Sequence, residues 1–167
     1  MSAAKVFPVF MTFFLLAGCA TDEPKPTPPP PPTVVQLRIE ALPDINLDGE
    51  GRPSPLLLRV YQLKELAAFN GADFFQLYQN EKSVLGADVA GKEEFILRPG
   101  EKREVSFEAK PEAKAVGVFA AYRNLDSAQW RASTSFPPNT TSIVKLRVTS
   151  DRLDLGSPKA TDEAPAE

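Results

Sequence analysis

The sequence predicts a mainly β protein: a two-sheet β-sandwich with a short helical insertion after its second strand. Three observations carry that prediction. Apolar residues recur with period two in one segment after another, the signature of half-buried strands. Turn residues separate those segments, and strands of this length and spacing suit a sandwich. One stretch alone departs from the pattern, with apolar residues three or four positions apart.

Each element follows from its own residues. Thr33 to Leu42 alternates cleanly, with Val35, Leu37, Ile39 and Ala41 on one face and Gln36, Arg38 and Glu40 on the other. Pro55 to Leu63 repeats the signal, with Leu56, Leu58 and Val60 facing one way and Arg59 the other. From Lys64 to Asn80 the apolar positions are Leu66, Phe69, Phe74, Leu77 and Tyr78, which predicts one or two short amphipathic helices whose aromatic residues form the buried face. Further strands are expected at 94–98, 103–110, 115–123, 130–136 and 142–149. Between the first two of these, Arg98-Pro99-Gly100-Glu101 has proline and glycine at the central positions of a type II turn. Gly156 to Glu167 lacks large apolar residues and is expected to be a frayed, acidic, disordered tail beyond a 33–155 domain.

The N-terminal end reads differently. Val6 to Leu16 is an apolar run broken only by Pro8 and Thr12. It is too short for a membrane-spanning helix, which needs about 20 residues, but it fits the core of a secretory signal. The run ends in Leu16-Ala17-Gly18-Cys19, which resembles a lipobox: cleavage after residue 18 would leave Cys19 to carry lipid. Cys19 is the only cysteine in the chain, so no intramolecular disulfide accounts for it. Several acyl chains give stable anchoring because each buried methylene contributes roughly 0.8 kcal/mol. Residues 20–32 are dominated by proline. Proline fixes φ and cannot donate to a ladder, so 19–32 is expected to be an extended tether, reaching up to roughly 40 Å at about 3.1 Å per residue.

Composition excludes several classes of chemistry. Loss of residues 1–18 removes Lys5 and no acid, leaving 22 acidic against 18 basic side chains. Nucleic-acid binding rests on clustered Lys and Arg and is not expected. There is no histidine, hence no imidazole base or metal ligand. No glycine-rich phosphate loop and no Gly-x-Ser-x-Gly elbow appear. Asp44-Ile45-Asn46-Leu47-Asp48-Gly49 matches the first half of a calcium loop, yet the position for its bidentate glutamate is Pro55. Neither an enzyme nor a metal site is expected, and no cofactor beyond the covalent lipid on Cys19.

A family resemblance gathers these pieces. It is carried by Asn46 and Gly51 before Pro55, then Leu58-Arg59-Val60-Tyr61-Gln62-Leu63, then Phe69, Asp73-Phe74-Phe75 and Leu77. Leu85-Gly86-Ala87-Asp88, Leu97-Arg98-Pro99-Gly100-Glu101, and Val116 to Arg123 with Trp130 complete it. In this order they resemble the outer-membrane lipoprotein of the bacterial type VI secretion system, the TssJ (SciN/VasD-like) family. The resemblance implies a transthyretin-like sandwich with a helical addition, lipid-anchored in the inner leaflet of the outer membrane with its domain in the periplasm. It also implies that the loop between the first and second strands, Pro43 to Ser54, binds the periplasmic end of an IcmF-like inner-membrane protein. The site residues are then Asp44, Ile45, Asn46, Leu47, Asp48, Gly49, Glu50 and Arg52. The residues themselves leave two readings open: Ile45 and Leu47 anchor a partner, or they fold back onto the sandwich edge. The resemblance favours the first. Arg59, Tyr61, Tyr122, Arg123 and Trp130 are assigned to packing. Ala20 after the lipidated cysteine agrees with the outer membrane. A rival of another class is a lipid-anchored periplasmic binding or inhibitor module unrelated to secretion.

Overall fold

The computed structural model describes residues 28–161. The signal segment, Cys19 and the last six residues lie outside that range. Pro28 to Pro32 are exposed and form no regular element.

Two sheets face each other. The first has the order β4 (Lys102–Glu108), β1 (Val34–Ala41), β7 (Thr141–Val148), β8 (Leu153–Leu155), with β9 (Lys159–Thr161) also on β7. The second runs β3 (Val89–Leu97), β2 (Leu56–Leu63), β5 (Ala115–Ala120), β6 (Arg131–Ser135). All pairs are antiparallel except β1 with β7. The predicted alternation of β1 holds: Val35, Leu37, Ile39 and Ala41 all enter the core between the sheets. Leu56, Leu58 and Val60 of β2 meet them from the opposite sheet.

The second sheet is covered on its outer face as well. Helices α1 (Ala67–Gly71), α2 (Phe74–Gln79) and α3 (Glu81–Leu85) lie over it, and Phe69, Leu77 and Leu85 pack on Tyr61, Leu63, Ala115 and Phe119. With a layer on each side, all six residues of β5 are buried. Gly117 lets this layer close: a Cβ there would sit 2.8 Å from Leu63 Cδ1 and 3.0 Å from the Phe69 ring. Asp73 starts α2 through a reciprocal capping box with Gln76. Arg59 donates to the carbonyls of Leu77 and Tyr78 at the end of α2 and pairs with Glu94 and Glu81. Tyr61 donates to Glu81 at 2.8 Å. Burial opposes ionisation of Glu81, but the bonds from Lys92 and Tyr61 outweigh it and hold the carboxyl below its ordinary range.

Four expectations need correction. Tyr78, expected on the buried face of the helices, is 42% exposed at the end of α2, where it stacks on Phe74 from outside. The insertion holds three helices and reaches Leu85, because Phe69, Leu77 and Leu85 are each needed to cover the sheet. β3 begins at Val89, earlier than the predicted 94; its first residues are half-exposed, so no alternation marks them. Residues after Gly156 are not wholly a frayed tail: Lys159–Thr161 pairs with Thr141–Ile143, continuing the line of β8 along the same edge of β7. Backbone hydrogen bonding alone places β9, whose side chains are largely exposed.

The fold has a direction. β1 leaves the tether at Thr33, where Val34 N–H meets Thr140 O and Ala109 N–H meets Thr33 O. Eight residues later, at a rise of 3.3 Å or so each, it reaches the opposite pole about 25 Å away. There the chain enters the loop that leads to β2.

Candidate functional site

Four connections lie at the pole away from the tether. The turn 98–101 between β3 and β4 bonds the end of β1. The other three meet beside it: residues 42–55 between β1 and β2, 121–130 between β5 and β6, and 149–152 between β7 and β8. The first of these three is stiffened from within. Asp48 accepts the backbone N–H groups of Glu50 and Arg52 at 2.9 Å each and Arg52 Nε at 2.8 Å. The N–H of Arg52, and then its side chain, hold the Asp48 carboxyl below its ordinary range. Gly51, at φ +75°, closes the turn with its N–H on Asp48 O.

Asn46 ties this loop to the rest. It is buried, sits at φ +50°, and tolerates that left-handed conformation because its short polar side chain bonds backbone. Its Nδ2 donates to Pro55 O at 2.8 Å and its Oδ1 accepts the N–H of Arg123 at 2.9 Å. Tyr122 extends the tie to the third connection, its hydroxyl standing 2.8 Å from Arg152 O and 3.2 Å from Thr149 O. Burial pushes the Tyr122 phenol well above its usual range. Between the three connections lies a groove of about 570 Å³, lined by Leu47, Asp48, Arg123, Asn124, Ser127 and Asp151 among others.

The predicted loop residues divide. Ile45 is 0% exposed and belongs to the core. It therefore offers no anchor to a partner: the aliphatic side chain fits the inter-sheet space, and Ser54 N–H fixes its carbonyl. Leu47 remains 37% exposed on the groove. Asn46 and Asp48 hold the loop's shape, while Asp44, Gly49, Glu50 and Arg52 face solvent. The oxygens of the half calcium motif do not converge, because Asn46 turns inward to backbone and Asp48 turns to Arg52. Cys19 lies outside the described residues.

Arg59, Tyr61 and Tyr122 are framework as expected, and Trp130 packs edge-on against Phe74 and Phe119. Arg123 is not: its backbone serves the framework, but its side chain is exposed on the groove. Asn124, Ser127 and Asp151 also line the groove and carry no sequence signal. They converge only because β5 and β7 end at the same pole.

No helix among the described residues is long and apolar enough to cross a membrane. None of the curated proteins matches the chain. Among solved structures it is similar to the type VI secretion lipoprotein TssJ1 of Pseudomonas aeruginosa, with 37% identity, a TM-score of 0.73, and coverage of 81% of this chain and 100% of that one. It is also similar to Lip of Serratia marcescens, a membrane-bound component of the type VI secretion system: 28% identity, TM-score 0.69, coverage 74% and 96%. A third match, to a structure described as the TssM C-terminal domain (869–1107) from EAEC, has 26% identity, a TM-score of 0.61 and coverage of 73% and 96%. Residues 33–151 match the family model described as type VI secretion lipoprotein, VasD, EvfM, TssJ. With its two-sheet sandwich, its helical cover and a match across the whole domain, the chain belongs to the type VI secretion lipoprotein family.

Proposed function

We propose that this protein is the outer-membrane foot of a type VI trans-envelope complex. It is anchored by lipid on Cys19 in the inner leaflet and grips the periplasmic end of an IcmF-like (TssM-type) inner-membrane protein through the loop between β1 and β2. The observation that carries this reading is the polarity of the fold. The tether leaves one pole, and the stiffened loop with its exposed Leu47 stands at the other, about 25 Å further from the lipid surface. A partner rising from the inner membrane would meet that pole first. A loop already fixed by Asn46 and Asp48 loses little freedom on binding.

The match to a structure described by a TssM domain supports the partner's class. The chain matched there is about the size of this domain, since 73% of this chain covers 96% of it, whereas residues 869–1107 span nearly twice that length. This supports a companion chain of this fold beside the TssM domain. The role is one of attachment and needs no catalytic group.

The test is affinity purification from detergent-solubilised envelopes with tagged wild type and Leu47→Ser. Recovery of an IcmF-like protein by wild type, and much less by the variant, is the expected result. Equal recovery would remove the loop from the interface, and no recovery with intact bait would overturn the assignment.

A further inference from the structure

We infer that the groove between the three connections is a cleft for a segment of the partner protein that carries one carboxylate beside an aliphatic residue, the aliphatic side chain against Leu47 and the carboxylate on Arg123. The inference rests on the proposed attachment role and adds the chemistry of recognition to it.

The groove's charges are unequal in what they already hold. Asp48 is saturated by Arg52 and two backbone N–H groups. Arg52 is divided between Asp48 and Glu50. Asp151 accepts the Thr149 hydroxyl at 3.1 Å and lies 4.0 Å from Arg152. Arg123 differs from all of these: among the described residues its exposed guanidinium makes no ion pair and no side-chain hydrogen bond. It is still close enough to Asp48 to help depress that carboxyl. What the groove lacks is therefore a carboxylate, and a guanidinium presents its fork to one in a bidentate geometry.

Position and rigidity narrow the occupant. Arg123 is held by its own N–H on buried Asn46 and by its neighbour Tyr122, which is bonded to the 149–152 turn. The backbone that carries the cation is thus preformed, and only the Arg123 side chain is left to be ordered on binding. Anionic lipid headgroups are a poor fit because the groove is at the pole away from the tether, and the flanking Asp48 and Asp151 admit no more than a single negative charge beside Arg123. A single carboxylate beside an aliphatic residue fits the one free cation and the one exposed leucine among the groove-lining residues.

The experiment uses the mature lipoprotein in detergent, titrated calorimetrically with the periplasmic domain of its cognate IcmF-like protein at low and high salt. Arg123→Ala is expected to weaken binding about tenfold and to flatten the salt dependence, since the lost attraction is one that salt screens. Arg123→Glu weakens it further, and Arg38→Ala, on the outer face of β1, stays within about twofold as a rim-remote control. The urea midpoint of both Arg123 variants stays at the wild-type value, because the backbone N–H that Asn46 accepts is retained. If both Arg123 variants bind within about twofold of wild type while Leu47→Ser binds weakly, the carboxylate inference is overturned and the attachment role stands. If wild type itself does not bind, the attachment role fails and takes this inference with it.

Discussion

Replacing Asn46 by alanine tests whether the loop is built as a fixed platform. Asn46 is 4% exposed, bonds Pro55 O and the Arg123 N–H, and holds φ +50°. Alanine leaves both backbone groups without partners, at about 1 kcal/mol net for each hydrogen bond. It also puts a Cβ without polar compensation into the left-handed region, which costs about another 1 kcal/mol. The sum is about 3 kcal/mol, and with a urea slope of about 2 kcal/mol/M the midpoint falls by about 1.5 M. Asn46→Gly removes the φ cost but keeps the loss of both bonds, so it should lie near 2 kcal/mol. Asn46→Asp retains the acceptor for Arg123 but sets a buried carboxylate oxygen against Pro55 O, so at neutral pH it should cost at least about 2 kcal/mol, and less once acid protonates the carboxyl. Equilibrium urea unfolding followed by Trp130 fluorescence reads all three variants. An alanine variant within about 0.5 kcal/mol of wild type, or a glycine variant less stable than the alanine one, would refute the clamp.

Other expectations follow from the same structure. Gly117→Ala forces a methyl group against Leu63 and Phe69, both fully buried, and should destabilise by about 1–3 kcal/mol in urea unfolding; an unchanged midpoint would mean the helical layer shifts freely. The Ser142 hydroxyl is buried without a partner among the described residues, so Ser142→Ala should lie between neutral and about 1 kcal/mol more stable, and a clear loss would reveal a bond that the hydroxyl makes. Because the folded-state pKa of Glu81 lies below its ordinary 4.5, its stabilisation is present above that value and is lost as pH falls through the folded pKa. Acid should therefore lower the urea midpoint of wild type more than that of Glu81→Gln, and parallel losses would show that the Arg59–Glu81–Lys92 network contributes nothing pH-dependent. Cys19→Ser should leave a folded protein that is unanchored or unprocessed, and palmitate labelling that persists in the variant would disprove the lipidation site.

Much of the sandwich was legible in the residues because its physics is local. Period two along Val35, Leu37, Ile39 and Ala41 marks a face, and one buried face fixes the strand's orientation. The helical cover was legible from Phe69 and Leu77 for a related reason, since spacing of three to four is readable within a single turn. β9 was not legible: Lys159, Ala160 and Thr161 bury little and are held by backbone bonds to a strand nearly twenty residues earlier. The start of β3 was missed for the same reason.

The family was determined by the sequence on its own, because strand blocks, insertion and turn recur in one linear order across the domain. The division of labour in the loop was decided by tertiary structure alone. Ile45 and Leu47 are equally apolar two residues apart, and only the position of the opposite sheet puts one in the core and leaves the other at the groove. Arg123 resembles a framework residue in sequence, yet only its backbone plays that part, bonded to Asn46 77 residues away, while its side chain is exposed on the groove. Local pattern records which residues share a face; it carries no information about which distant loops end at the same pole, and the groove exists only where they do.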